Sequence, residues 1–179
     1  MHKTIISMSL ISLLSLSASA VSAAGQMKPG LWEMTIKTNA AQTMPQIPPE
    51  AREKMRQMGV SVPEMRDGAM VTKVCMTKEM VDQDKPPHMD RAQTGCQIKN
   101  HNRSGNSYSA EMVCDGPHLT GKGIMKGTFN SNESVTSVYD FKGTAQGRPV
   151  DQHHESSGKW LNASCGDIKP YTDFMPKNK

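Results

Sequence analysis

Residues 96–114, CQIKNHNRSGNSYSAEMVC, decide the fold. Gly105 lies in a Ser-Gly-Asn turn signal, with one cysteine nine residues before it and another nine residues after it. An antiparallel hairpin centred on Gly105 therefore places Cys96 opposite Cys114, at a Cα separation that a disulfide can bridge. We predict a hairpin closed by a Cys96–Cys114 disulfide. The same register pairs Ile98 with Met112, Asn100 with Ala110 and Asn102 with Tyr108.

The other two cysteines are Cys75 and Cys165. An even number of cysteines is typical of a disulfide framework in an exported chain, so elimination predicts a second disulfide between these two. The alternative is a four-cysteine zinc site. The successive spacings are 21, 18 and 51 residues, without the short C-x-x-C pair of a zinc knuckle. The spacing therefore favours two disulfides.

Strand patterns extend on both sides of the hairpin. In residues 31–37, Trp32, Met34 and Ile36 alternate with polar residues, which is the period of a half-buried strand. Other segments, separated by turn signals, have a similar composition. We predict a mostly β fold, an antiparallel meander of about seven strands that curls into a barrel or a strongly curved sheet. The segments are 31–37, 69–76, the two arms of the hairpin, 119–129, 135–142 and 150–161.

Residues 39–68 interrupt this pattern. Pro49 is a helix-start signal and Gly59 is a stop signal. Between them, Met55 and Met58 fall on one face of the predicted helix. We predict a helical and loop insert between the first two strands, and we expect it to be the region most tolerant of change.

The first 23 residues have the pattern of a signal peptide: Lys3, then an apolar run of about a dozen residues, then small residues ending near Ala23. The run is too short to span a bilayer core of roughly 30 Å, which disfavours the alternative of an uncleaved anchor. The predicted mature chain is a single β-rich domain, residues 24–179, periplasmic or secreted. No other stretch is apolar enough to cross a membrane. The formal net charge of +4 is scattered, which argues against nucleic acid as a partner.

Several short motifs, taken in their order along the chain, resemble those of the bacterial family catalogued as domain of unknown function 3617. The motifs are Lys28-Pro29-Gly30-Leu31-Trp32-Glu33, Val74-Cys75-Met76-Thr77-Lys78-Glu79, Gly95-Cys96, Cys114, Ser157-Gly158-Lys159-Trp160-Leu161 and Cys165-Gly166-Asp167-Ile168-Lys169-Pro170. They cover essentially the whole predicted mature chain. The resemblance implies an exported protein of Gram-negative bacteria with no assigned activity, and it supplies no catalytic residues.

The candidate ligand site consists of large apolar side chains that the strands place on converging faces. They are Trp32, Met34, Ile36, Met112, Met125, Phe129 and Trp160. Small residues on the same faces, such as Gly123 and Gly127, are expected to leave room between them. We predict an exported, non-catalytic envelope protein that binds a small apolar ligand or a protein partner. The alternative is a protein whose core is fully packed and whose function depends on its outer surface.

Two other functions are compatible with parts of the sequence. Methionine thioethers and imidazoles suit copper(I), but the methionines form no repeated cluster, and a flexible side chain that fills an irregular core explains them as well. The set comprises Met55, Met58, Met65, Met70, Met76, Met80, His88 and Met89. The second alternative is an enzyme of unrecognised class, although no nucleophile or metalloprotease motif appears. His153 and His154 are predicted on opposite faces of one strand, so they cannot converge on one metal ion. We expect no metal site, cofactor or catalytic residue.

Overall fold

The computed structural model describes residues 27–39, 47–82 and 95–174. The predicted signal peptide, residues 1–23, lies outside the described residues. Eight strands, two α-helices and a short 3-10 helix form the described chain. In order they are β1 (Gly30–Thr38), α1 (Pro49–Gln57), β2 (Glu64–Arg66), β3 (Ala69–Met76), α2 (Lys78–Asp82), β4 (Cys96–Ser104), β5 (Ser107–Asp115), β6 (Leu119–Ser131), β7 (Ser134–Ala145), β8 (Arg148–Asn162) and the 3-10 helix Tyr171–Phe174.

The strands form one antiparallel sheet in the order β2-β3-β1-β8-β7-β6-β5-β4. Strands β4 to β8 follow the predicted meander, and β1 lies between β8 and β3. Of the two predicted forms, a barrel or a strongly curved sheet, the barrel is wrong, because β2 and β4 are the edges of the described sheet and do not pair with each other. The edge strand β2 is only three residues long and could cover only a fraction of the nine-residue edge of β4.

The predicted count of seven strands is also wrong, because Glu64–Arg66 forms an eighth strand inside the predicted insert. This strand pairs with β3 through a turn at Asp67 and Gly68, whose φ angles are 52° and 75°. An Asp-Gly pair with positive φ at both positions is the preferred turn of a two-residue hairpin. The three strand residues are all exposed, so they carry no hydrophobic alternation by which the sequence would reveal them.

The hairpin of β4 and β5 follows the predicted register at Cys96–Cys114 and Ile98–Met112. Nearer the turn the prediction is wrong, since Asn102 pairs with Ser109 rather than with Tyr108. The turn consists of two residues, Gly105 and Asn106, so its centre lies between residues rather than on Gly105. A β-bulge between Lys99 and Asn102 absorbs the extra residue, with Asn100 in the left-handed region at φ 53°.

Both disulfides have the pairing that the sequence predicts. Cys96 and Cys114 lie 3.9 Å apart at Cα, and Cys75 and Cys165 lie 5.5 Å apart. The second disulfide ties β3 to the segment that follows β8 and closes a loop of 90 residues. Chain entropy alone gives such a loop an upper stabilisation of about 4–5 kcal/mol.

The predicted helix is present as α1, which begins at Pro49 and ends shortly before Gly59, where φ is 79°. None of its residues is buried, so α1 lies outside the core. The segment after it is attached to the sheet and to the C-terminal segment: Lys169 N donates a hydrogen bond to Gly59 O at 2.9 Å, and Lys73 N donates one to Ser61 Oγ at 2.9 Å.

The core lies largely on one face of the sheet, which we call the apolar face and define by Trp32, Val135 and Phe141. A first cluster surrounds Trp32 and includes Met80 from α2. A second cluster surrounds Phe141 and the Cys96–Cys114 disulfide. Because successive residues of a strand point to opposite faces, the even-numbered residues of β7 lie on the face opposite Val135 and Phe141, where Thr136 and Val138 are exposed.

Candidate functional site

The seven residues of the predicted ligand site all lie on the apolar face, but they pack in more than one place. Trp32 is fully buried, with Met34, Phe129 and Trp160 packed around its cluster. Met112 belongs to the second cluster, beside Phe141. Ile36 and Met125 are half-buried and belong to neither cluster. The sequence predicts the face correctly, but the structure distributes the residues along the core and does not gather them around one cavity.

The room expected beside the glycines is filled by aromatic rings. A Cβ atom added to Gly123 would lie 2.5 Å from Tyr139 Oη, and one added to Gly127 would lie 2.3 Å from Tyr108 Cζ. Each ring therefore lies across a glycine of the neighbouring strand, an arrangement that stabilises glycine-containing strands. The glycines permit close ring packing on the apolar face, and the expectation of empty space beside them is wrong.

Two tyrosine hydroxyl groups lie on the apolar face. Burial raises the pKa of Tyr139 to about 12, and its Oη lies 4.0 Å from Met112 Sδ. Burial also raises the pKa of Tyr108, although its hydrogen bond with Ser137 acts in the opposite direction. Ser137 Oγ and Ser156 Oγ are 2.6 Å apart and share a hydrogen bond. Both phenols are therefore neutral at pH 7.

The two adjacent histidines lie on opposite faces, as the alternation predicts. His154 contacts the edge of Tyr139 on the apolar face, with ring centroids 5.8 Å apart, and its buried Nε2 has no partner in the described chain. Burial and the neighbouring His153 lower the pKa of His154. His153 is exposed on the other face, where Nδ1 lies 2.7 Å from Asp140 Oδ1 and Nε2 lies 3.8 Å from Glu155 Oε1. The hydrogen bond to Asp140 raises the pKa of His153.

An open trough of about 790 Å³ runs across the face opposite the apolar face. It crosses six adjacent strands, β1, β8, β7, β6, β5 and β4. None of the seven predicted site residues lines it. With neighbouring strands roughly 4.8 Å apart, six strands extend about 24 Å, so the trough is long enough for an extended ligand.

Each of the six strands contributes at least one hydroxyl residue to the trough, and strand pairing places one serine or threonine from each strand side by side. We call this set the hydroxyl row. In spatial order it consists of Ser104, Ser107, Thr128, Thr136, Ser157 and Thr35. Thr136 Oγ1 accepts a hydrogen bond from Asn130 Nδ2 at 3.4 Å. The other five hydroxyl groups form no hydrogen bond within the described part of the chain, so they are available to a ligand.

A second row of trough residues runs parallel to the hydroxyl row and carries the charges. Lys126 lies beside Ser109 and Val138, and Lys37 is the cross-strand partner of Glu155. Neither lysine forms an ion pair with any of the described residues. Two cations against one carboxylate give this part of the trough a net positive charge.

The methionines of the copper(I) alternative are dispersed. Met76 and Met80 are buried with Trp32, whereas Met58 and Met65 are exposed. His88 and Met89 lie outside the described residues. Within the described ranges, no group of three or more histidine, cysteine, aspartate and glutamate side chains is arranged to hold a metal ion. Copper(I) binding by the methionines stays an untested alternative.

The hydroxyl row is the feature that the sequence analysis missed. Thr128 is recognisable as an outward-facing residue of its strand, but nothing within one strand shows which residue lies beside it. Part of the signal is in the hairpin turns: counting outward from the turn fixes the pairs Ser104–Ser107 and Thr136–Ser157, whereas the pair Thr128–Thr136 depends on a register shift between Phe129 and Ser131. The bulge in β4 is needed to bring Ser104 to this face, and the sequence pattern does not reveal it.

None of the helices in the described ranges is long and apolar enough to span a bilayer.

Comparison with known proteins gives a family and no activity. No curated protein and no solved structure matches the chain. Residues 27–165 match the family model described as protein of unknown function (DUF3617), and the chain therefore belongs to that family.

Proposed function

We propose that this protein is an exported, non-catalytic binding protein that holds a polar, extended ligand in the trough. The hydroxyl row carries the proposal. Five of its six hydroxyl groups are without a partner in the described chain, and all six face one open trough. A hydroxyl group both donates and accepts hydrogen bonds, so a row of them suits a ligand with polar groups repeated along its length.

The packing of the apolar face favours this site over the apolar pocket expected from the sequence. Trp32 is 0% exposed and Phe141 is 2% exposed. Tyr139 and Tyr108 occupy the space beside the glycines. An apolar ligand would have to displace close-packed side chains, at the cost of the contacts that they make.

Export is supported by the disulfides. Two disulfides in a chain of this size are typical of a protein that folds in an oxidising compartment. The signal-peptide pattern of the first 23 residues points to the same compartment. A periplasmic or secreted location is therefore part of the proposal.

The test is a two-dimensional amide NMR titration of the mature protein with three probes: dodecanoate as the apolar probe, and trialanine and mannohexaose as polar probes. We expect at least one polar probe to shift the amides of the hydroxyl row saturably. Saturable shifts at Trp32 and Met112 with dodecanoate alone would contradict the trough and restore the apolar site. The absence of shifts with all three probes would also contradict the proposal.

A blocking variant sharpens the test. Thr136→Trp places an indole in the middle of the trough, and Thr144→Trp places the same side chain on the same face of the same strand, outside the trough. Both threonines are exposed, and each gives up one hydrogen bond between side chains, to Asn130 and to Thr120 respectively. We expect Thr136→Trp alone to remove the shifts. Equal binding by the two variants would show that the ligand lies elsewhere.

A further inference from the structure

We infer that the trough takes an extended acidic glycan, whose hydroxyl groups bond to the hydroxyl row and whose carboxylates are neutralised by Lys126 and Lys37. This inference rests on the proposed function and names the ligand class of the same site. Three observations carry it: the regular spacing of the hydroxyl row, its position across strands that are paired on both sides except at β4, and the two lysines without an ion pair beside it.

The spacing of the hydroxyl row fits a chain with a short, regular repeat. Because each member lies on the next strand, the row repeats at the strand separation, roughly 4.8 Å. One sugar of an extended β-linked glycan has a comparable length. Successive sugars can therefore meet successive strands, and hydrogen bonds can form at several positions along the row.

The position of the trough disfavours a peptide. Extended peptides commonly bind by adding a strand at a sheet edge, where backbone N–H and C=O groups are unpaired. Strands β5, β6, β7, β8 and β1, five of the six that the trough crosses, are paired on both sides. Over these five strands a ligand must be recognised by side chains, and most of those present are hydroxyl groups. These are the natural partners of sugar hydroxyl groups.

The charges favour an acidic glycan over a neutral one. Lys126 and Lys37 lie on strands at two different positions along the trough, and neither is neutralised by a described residue. The carboxylate of Glu155 faces His153, at 3.8 Å from Nε2. A ligand with carboxylates spaced along its length could approach both lysines at once.

The experiment compares two probes that differ only at one carbon of each sugar: a β-1,4-linked mannuronate hexamer, which is acidic, and β-1,4-linked mannohexaose, which is neutral. Isothermal titration calorimetry is run on the mature protein at low salt. We expect the acidic hexamer to bind at least about threefold more tightly, with an advantage that falls as salt is raised.

Three lysine variants locate the contact. Lys126→Gln and Lys37→Gln should each weaken binding of the mannuronate hexamer by about two- to fivefold, as expected for exposed ion pairs. The control is Lys122→Gln, which removes the same charge from the same face of β6, outside the trough. It should leave the affinity unchanged. Thr136→Trp should abolish binding of the hexamer, and Thr144→Trp should not.

Each contrary result removes a defined part of the inference. Equal affinity for the two hexamers would overturn the acidic specificity, and equal losses in Lys126→Gln and Lys122→Gln would do the same. Binding of the mannuronate hexamer to Thr136→Trp would overturn the location. If neither hexamer binds while trialanine still shifts the hydroxyl row, the glycan is wrong and the proposed function stands. If no probe reaches the trough, both are wrong.

Discussion

The two faces of the central strands use the same backbone in opposite ways. In β7, Val135 and Phe141 are 7% and 2% exposed, whereas Thr136 and Val138 on the other face are open to solvent. On the apolar face, rings lie across the glycines of neighbouring strands and close the space. On the face of the hydroxyl row, short side chains leave a trough of about 790 Å³. In these central strands, one face therefore supplies the core and leaves the other free to bind.

This division of roles follows from side-chain size. A strand buries its large residues on one side and can then carry small polar residues on the other without loss of core volume. The hydroxyl groups contribute little to folding because five of the six lack a partner in the described chain. Substitutions on the two faces should therefore separate stability from binding.

The largest effect we expect is on the stability of the apolar face. Trp32→Ala removes a fully buried indole and should lower the free energy of unfolding by about 3–5 kcal/mol. Thr35→Ala, in the same strand but in the hydroxyl row, should change it by less than about 0.5 kcal/mol. Urea denaturation of both variants measures the difference. Similar losses in the two variants would contradict the division between faces.

The next effect concerns the bulge that joins the two faces. Before the bulge in β4, Cys96 and Ile98 lie on the apolar face. After it, Ser104 lies in the hydroxyl row, although strict alternation from Cys96 would place it on the apolar face. Alanine is less favourable than asparagine in the left-handed region, and Asn100→Ala also removes the hydrogen bond that Asn100 Nδ2 donates to Glu111. The substitution should lower the free energy of unfolding by about 1 kcal/mol. Asn100→Gly keeps the backbone conformation and is the control.

The readout for these variants is the cross-strand contact between Asn102 and Ser109, which NMR detects directly. We expect Asn100→Gly to retain it and Asn100→Ala to weaken it. If Asn100→Ala matches the parent protein in both stability and register, the bulge is not held by this residue. In that case the position of Ser104 must be fixed by the turn alone.

The bulge also marks how far the sequence can predict this structure. The cysteine spacing about Gly105 predicts the hairpin and both disulfides, because nine residues on each side leave one simple register. The same symmetry argument cannot reveal an extra residue inside one arm, since a bulge changes neither the cysteine spacing nor the turn composition. The sequence thus predicts the cysteine end of the hairpin and fails at the end nearest the trough.

The candidate site has the same limit. Alternation in residues 31–37 predicts the apolar face of β1, because it depends on one strand alone. The hydroxyl row depends on five strand pairs in register and on the position of β1 beside β8, which the order of segments in the chain does not give. The filling of the glycine spaces by Tyr108 and Tyr139 likewise depends on neighbours across the sheet.

The smallest effect we expect is on the pH dependence of stability, where two adjacent histidines on opposite faces should act in opposite directions. Burial lowers the pKa of His154 below 6.5, so the unfolded chain takes up a proton more readily than the folded one. His154 therefore lowers stability as the pH falls below 6.5. The hydrogen bond to Asp140 raises the pKa of His153 above 6.5. The stabilisation that His153 contributes is therefore complete below that pH and is lost as the pH rises through the pKa of the folded state.

Titration of the ring protons by NMR should place the pKa values of the two histidines on either side of 6.5. In urea denaturation between acidic and neutral pH, His154→Gln should reduce the loss of stability in acid, and His153→Gln should increase it. If both substitutions changed the loss of stability at acidic pH in the same direction, the histidines would share one environment. The separation of the two faces would then not extend to this end of β8.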